Sequence, residues 1–203
     1  MRILCFSDIH GNIKALRNIV AYSKKVDLVI CAGDFTEFSK RIQEILSILN
    51  TSKSKVLIIP GNHEDPKVLE KLCKNFKNLI YVHKKHIIIN DVLFIGYGTG
   101  GFSIKDPDFV KFAKSLKKEL SEKKNKIKVL ITHAPPFDSG IDFIDEEERM
   151  PLGNKDIRNF ILKNNIDVCI SGHFHERAGT ISYIGKTIVI NPGNFFIIEI
   201  IFS

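Results

Sequence analysis

Short runs of Val, Ile and Leu recur along this chain, and in its first half each gives way to a segment whose apolar residues repeat at helical spacing. That alternation constrains the fold more than any other feature. Strands alternating with crossover helices build a parallel sheet. The runs are apolar at nearly every position rather than at every second one, so both faces of the sheet must be covered. Strands are expected over residues 2–7, 27–32 and 55–60, followed in turn by helices over 13–25, 41–49 and 66–74. The first helix carries Ile13, Leu16, Ile19 and Val20 as its apolar set.

The second half is mixed. Strands are expected around 79–82 and 86–96, with antiparallel pairing at Asn90-Asp91, a hairpin-type turn. A helix over 108–124, a strand over 128–132, a long irregular segment over 134–153, a helix over 154–164 and a strand over 167–171 follow. The chain closes on a hairpin, 179–183 with 187–191 about Ile184-Gly185-Lys186, and on a last strand over 195–202, read as apolar and therefore buried or interfacial. No repeat, low-complexity tract or linker divides the 203 residues. Residues 1–203 are read as one domain, an α/β sandwich of two mixed sheets flanked by helices.

Five of the seven histidines lie in short islands, each placed where an apolar run stops. The islands are Ser7-Asp8-Ile9-His10, Ala32-Gly33-Asp34, Pro60-Gly61-Asn62-His63-Glu64, Thr132-His133 and Ser171-Gly172-His173-Phe174-His175. All supply His, Asp or Asn, the residue types that hold divalent cations. In α/β architectures such groups collect beyond the C-terminal ends of the strands, so the islands share one edge and point to a two-metal hydrolytic centre. Asp8 and His10 stand two residues apart, on the same face of an extended segment, and reach one cation. Asp34 offers two oxygens for two cations, and Gly33 lets the backbone pass close to them. Asn62 adds a neutral amide oxygen, and His133, His173 and His175 complete the set.

The bulk numbers narrow the alternatives. A hydrophobic content of 44% with 26% charged residues is ordinary for a soluble globular protein. The formal net charge is +7, carried by lysines scattered as pairs and singles. They read as a solvated surface that also steers anionic substrates. They form no stripe with interleaved aromatics, so nucleic acid is not the favoured partner. Cys5, Cys31, Cys73 and Cys169 show no C-x-x-C spacing, and three of them sit in apolar runs. Unpaired thiols of that kind suit a reducing cytoplasm. The first residues enter a strand at once, with no signal peptide, and no apolar stretch reaches the ~20 residues that span a bilayer.

With those residues in place, the sequence resembles the calcineurin-like metallophosphoesterase superfamily. The matching motifs are Asp8-x-His10, Gly33-Asp34, Gly61-Asn62-His63-Glu64, Thr132-His133-Ala134-Pro135-Pro136 and Gly172-His173-Phe174-His175, and they span residues 3 to about 194. Any one block is unspecific, whereas five in the family's order are highly specific. The blocks after His133 and His173, with Asn191-Pro192-Gly193-Asn194, look most like the small prokaryotic phosphodiesterase-type members. The resemblance implies the metallophosphoesterase fold, a four-layer α/β/β/α sandwich of two mixed β-sheets flanked by helices. It implies two divalent metal ions (Mn, Fe, Zn, Co or Ni), one held by Asp8, His10 and His175, the other by Asn62, His133 and His173, with Asp34 bridging both. The attacking group would be a hydroxide between the metals. His63, without a metal, would stabilise developing charge or protonate the leaving oxygen. Glu64 would orient His63 or a neighbouring ligand.

The remaining polar residues get plainer readings. Asn12 is expected to cap the helix that follows rather than contact substrate. His83 and His86 are read as surface residues without a role. Asp142, Asp145, Glu146, Glu147 and Glu148 read as a solvated loop, with a substrate-selecting lid as the sharper alternative. Gly96–Gly101 reads as a glycine turn, with a phosphate-approaching loop as its alternative. The expected function is a cytoplasmic, dinuclear-metal phosphoesterase acting on a small phosphate ester, a phosphodiester before a monoester, in a chain able to form a homo-oligomer. Its rivals are a nuclease running the same chemistry and a non-catalytic scaffold that keeps the fold.

Overall fold

The computed structural model of the protein describes residues 1–122 and 126–201. Its first half is the expected alternation. Strand β1 (Arg2–Phe6) leads to helix α1 (Ile13–Tyr22), β2 (Leu28–Cys31) to α2 (Ile42–Leu49), and β3 (Lys55–Ile58) to α3 (Pro66–Cys73). Strand β4 (Leu79–Tyr81) closes this half, and β1 to β4 pair in parallel in that order. The chain then crosses to a second sheet through β5 (Lys85–Ile89) and β6 (Val92–Tyr97). These two pair antiparallel around Asn90 and Asp91, both at positive φ, the conformation a tight hairpin turn requires.

Helices α4 (Pro107–Ser115) and α5 (Lys117–Glu122) precede β7 (Ile127–Thr132), and α6 (Lys155–Asn164) precedes β8 (Val168–Ser171). The hairpin β9 (Ile181–Ile184) and β10 (Thr187–Ile190) adds to the second sheet, ordered β5-β6-β7-β8-β10-β9. The last strand, β11 (Phe196–Glu199), returns to the first sheet and pairs antiparallel with β1.

Three cores make four layers. Outward side chains of the first sheet, among them Leu4, Phe6, Val29 and Ile58, bury against Leu16, Ile19, Ile45 and Leu69 of α1, α2 and α3. Inward ones, Ile3, Cys5, Ile30 and Leu57, meet Phe94, Val129, Ile131 and Ile170 of the second sheet. The outer face of that sheet, with Leu93, Ile95 and Leu130, packs on Phe109, Phe112, Ile157 and Phe160 of α4 and α6. Each strand therefore buries both faces, which is why its sequence is apolar throughout. Local chemistry fixes the helix starts: Asn12, Asp65, Asp106 and Asn154 each accept N–H bonds from the first turn of the helix they precede.

Three expectations need correction. The helix expected over 108–124 is two helices, α4 and α5. At Leu116 the ladder tightens to an i−3 bond, Leu116 N–H to the Ala113 carbonyl at 3.3 Å, and the change of direction buries both Leu116 and Leu120. The part of that expectation on Lys123 and Lys124 lies outside the described residues. The helix expected over 13–25 ends at Tyr22 and continues as a 3₁₀ turn, Ser23–Lys25, because Lys53 N–H binds the Ser23 hydroxyl at 2.8 Å and draws the turn toward the next loop. The closing run is not buried along its length: β11 is an edge strand with Glu199 exposed and Ile201 82% exposed, and Phe202 lies outside the described residues. An edge strand pairs on one side only, which leaves part of its surface to solvent.

Candidate metal centre

The parallel strands β1, β2 and β3 of one sheet and β7 and β8 of the other all release their islands at the same edge. Loop backbones bind one another there. Asp8 N–H donates to the Gly33 carbonyl and His10 N–H to that of Asp34, each at 3.1 Å, and Gly172 N–H donates to that of His133 at 3.1 Å. Side chains converge as a result. His10 Nε2 lies 3.0 Å from His175 Nε2, and His175 Nε2 lies 3.8 Å from Asp8 Oδ1. Asn62 Oδ1 stands between His133 Nε2 at 2.9 Å and His173 Nδ1 at 3.0 Å. Asp34 Oδ2 is 3.3 Å from His133 Nε2 and 3.8 Å from His63 Nε2.

Two triads capable of holding a cation emerge, Asp8–His10–His175 and Asp34–His133–His173, each with its donor atoms within 4.8 Å of one another. The fit to cations rests on the donors themselves. His10 Nδ1 and His173 Nε2 are buried without a hydrogen-bond partner. Such an arrangement is costly unless a cation sits among the donors. A third group, His10–Glu37–His63, meets the same distance condition. Glu37 was not singled out from the sequence, although it lies three residues after Asp34 within reach of the same island.

Backbone strain concentrates at this edge. Asp8 (φ 53°), His10 (φ 42°), Asp34 (φ 49°) and His173 (φ 76°) all occupy the left-handed region, uncommon for non-glycine residues and tolerated best by Asn, Asp and His. The Asp8–His10 segment is thus a tight turn rather than an extended piece; both side chains reach the same cluster by that route. Gly33 (φ 94°) and Gly61 make the β2 and β3 loops touch. A Cβ on Gly33 would lie 2.6 Å from Gly61 N, and one on Gly61 2.0 Å from Asp34 Oδ1. Gly33 therefore serves the contact between two loops and also lets the backbone pass against His133, whose Nδ1 would lie 2.8 Å from such a Cβ.

Electrostatics follow from burial. Burial alone would drive Asp34 toward its neutral form, but the hydrogen bond and charge of His133 prevail and hold its pKa down at about 2. Burial likewise opposes charge on His133, yet the Asp34 carboxylate raises it to about 9. His173 goes the other way: burial first, then the charge on His133, lowers it to about 4. Asp34 and His133 thus form a charged pair in which a cation would take the place of the proton.

Around the centre, Glu64 is buried and accepts N–H bonds from Asp34 (3.0 Å), Thr36 (2.9 Å) and Gly61 (2.8 Å), plus the Thr36 hydroxyl (2.6 Å). It fixes the β2 and β3 loops and the backbone of Asp34, not His63. Asn12 Oδ1 accepts Ala15 N–H at 3.0 Å and caps α1. His63 N–H donates to Asp34 Oδ1 at 2.9 Å. Its Nδ1 accepts the N–H of Phe38 at 3.4 Å and lies 3.8 Å from Glu37 Oε1.

Two plain readings fail here. His83 is buried, not superficial; its Nδ1 accepts Gly98 N–H at 2.8 Å, and burial lowers its pKa to about 4. Asp142 is buried, not solvated: it accepts N–H bonds from Asp138 (2.7 Å), Ser139 (2.9 Å) and Gly153 (3.0 Å) and closes the long loop on itself. Asp145 to Glu148 are exposed as expected, and Glu146 pairs with Arg177, two residues beyond His175. The acidic segment is thereby pinned beside the centre. The glycine loop also borders it, since a Cβ on Gly101 would lie 3.3 Å from His173 Cε1.

A sandwich of two mixed sheets with this constellation at one edge defines a metal-dependent phosphoesterase. The chain belongs to the calcineurin-like phosphoesterase family, whose description matches residues 1–177, and it is a hydrolase acting on phosphoric esters. An uncharacterized protein of Methanocaldococcus jannaschii is 31% identical over 198 residues, 95% of this chain and 88% of that protein. A Coxiella burnetii protein named "Probable cyclic nucleotide phosphodiesterase" is 25% identical over 182 residues, 86% of this chain and 70% of that protein. Among solved structures, TT1561 of Thermus thermophilus superposes with a TM-score of 0.76 at 19% identity, covering 95% of this chain and 88% of the other. At that identity the likeness concerns the fold.

Proposed function

We propose that the protein hydrolyses a small phosphodiester at a centre of two divalent cations. One would be held by Asp8, His10 and His175, the other by Asn62, His133 and His173, with Asp34 between them. The observation that carries this reading is the pair of adjacent triads, each with its donors within 4.8 Å. Mn, Fe, Zn, Co and Ni all suit such a nitrogen and oxygen set. Bound there, two cations would supply an activated water and neutralise charge on the phosphoryl oxygens.

The chain's own groups do the rest. His63, when protonated on both ring nitrogens, would give its Nε2 proton to the departing alkoxide and return to the neutral ring. Glu37, beside His63 Nδ1 and 3.5 Å from His10 Nδ1, would favour the charged ring before that transfer. Glu64 and the Gly33–Gly61 contact hold Asp34 in place, so the ligands need no rearrangement on binding. The reading treats residues 1–203 as one domain, supported by the inter-sheet core both halves share. It places the chain in the cytoplasm, supported by four free, buried cysteines; among the described residues no helix is long and apolar enough to cross a membrane.

The test is a screen of phosphomonoesters, phosphodiesters, cyclic nucleotides and bis-p-nitrophenyl phosphate against the five metals. Metal-dependent turnover with diesters ahead of monoesters is the expected result. Absence of hydrolysis with every metal would leave a scaffold, and turnover confined to polynucleotides would make it a nuclease.

A further inference from the structure

Two exposed phenylalanines border the imidazole cluster, and the metal chemistry accounts for neither. Phe38 is 66% exposed and Phe102 65%. Phe38 lies face to face with His63, ring centroids 4.1 Å apart and planes 19° from parallel. Phe102 meets His173 edge-on at 4.6 Å and Phe174 at 5.6 Å. Ring contacts continue inward from Phe38 through His63 to His10 at 4.6 Å, and from Phe102 through His173 to His133 at 5.2 Å.

Phe38 is held in place against its own preference. Its φ is +48° and that of Ser39 is +60°, a conformation that suits Gly or Asn and disfavours a bulky side chain. The turn is closed by Lys40 N–H to the Glu37 carbonyl at 2.9 Å. It is tied down by Ser39 N–H to Thr36 Oγ1 at 3.1 Å and by the Ser39 hydroxyl to the His63 carbonyl at 3.2 Å. A strained backbone that displays an aromatic ring to solvent, beside reacting groups, marks a binding surface.

We propose that Phe38 is the stacking platform for substrate, and that the alcohol half of the ester carries a planar aromatic ring. This rests on the phosphoesterase reading of the same centre. One face of Phe38 covers His63, and the other faces solvent. A leaving oxygen placed within reach of the His63 ring emerges beside Phe38, which stacks on it at 4.1 Å, so the group attached to the oxygen lies along Phe38. Phe38 stands on its turn between Glu37, Ser39 and Lys40, a flat apolar face with polar borders. That form suits a ring, which stacks, rather than a long acyl chain, which needs a continuous apolar groove. Phe102 supplies an apolar wall on the His173 side.

The test is calorimetric titration of the protein, as purified and after manganese loading, with phenylphosphonate and methylphosphonate, whose C–P bonds resist hydrolysis. The phosphonate isosteres of AMP and ribose 5-phosphate, with CH2 in place of the ester oxygen, compared in the same way, separate a nucleobase from a simple aryl ring. The wild type is expected to bind the ring-bearing member of at least one pair about tenfold more tightly, in keeping with stacking of a ring on an aromatic side chain. Phe38→Leu should erase that preference while changing affinity for the ringless member less than twofold, and Phe38→Tyr should keep it. Equal affinities in the wild type, or equal losses for both members in Phe38→Leu, would overturn the proposal and leave Phe38 as a support for His63. Neither outcome depends on turnover, so failure of the diester screen would fall on the functional reading alone.

Discussion

The carboxylate of Glu64 accepts the backbone N–H of Asp34 at 3.0 Å while its second oxygen takes the N–H and hydroxyl of Thr36. One buried side chain thus sets the position of the acid most central to the site. Burial, and the charge on the neighbouring Asp34, push the Glu64 pKa up against the hydrogen bonds from Thr36 and Gly61, which favour the ionised form.

Removing that acceptor leaves buried donors unpaired. Glu64→Ala is expected to destabilise the fold by about 3–5 kcal/mol, the range for losing a buried charged partner. Urea unfolding measures it. A loss under about 1 kcal/mol, the worth of one ordinary hydrogen bond, would show that the loops do not depend on Glu64.

Asp34→Asn removes the carboxylate of the Asp34–His133–His173 triad, proposed above to lie between the two cations. Affinity for divalent cations is expected to fall about 100-fold or more, beyond the effect of losing a supporting group. Calorimetric titration with Mn2+ or Zn2+ reads it directly. Two sites of unchanged affinity in the variant would contradict the place given to Asp34.

His63 borders both principal triads but belongs to neither, so its loss should separate chemistry from metal binding. His63→Ala is expected to bind cations as the wild type does and to lose about 100-fold or more in kcat. Glu37→Gln should lower kcat by a smaller factor with KM little changed. Full turnover in His63→Ala would remove the proton donor from the mechanism.

His83 makes a separate prediction about pH. Burial, then the charge on Lys84, lowers its pKa in the folded state to about 4, from the ordinary 6.5. Between those values the unfolded chain binds a proton that the folded chain does not, so stability falls as pH drops from about 6.5 to about 4 and loses nothing further from this residue below that. The difference corresponds to about 3 kcal/mol. His83→Asn keeps an acceptor for Gly98 N–H and should flatten this part of the curve; identical pH profiles for the two proteins would exclude the assignment.

The sequence by itself determined the strands, the two sheets and the islands. Apolar content is averaged over a whole segment, and β1, β2, β3, β7 and β8 must bury both faces, so Val, Ile and Leu mark them without reference to partners. His10, Asn62, His133, His173 and His175 were legible for a related reason, since each follows directly on such a run. Tertiary structure decided what depends on distant partners. Asp142 is buried because three backbone N–H groups of its own loop close on it, and His83 because Gly98 donates to it across a turn. Glu37 and Phe38 reach His63 only because a left-handed turn lifts them over a loop from another strand. The break at Leu116 arises from packing against the second sheet. A polar or exposed residue takes its role from the few atoms the folded chain brings to it, and no periodic pattern in the sequence records them.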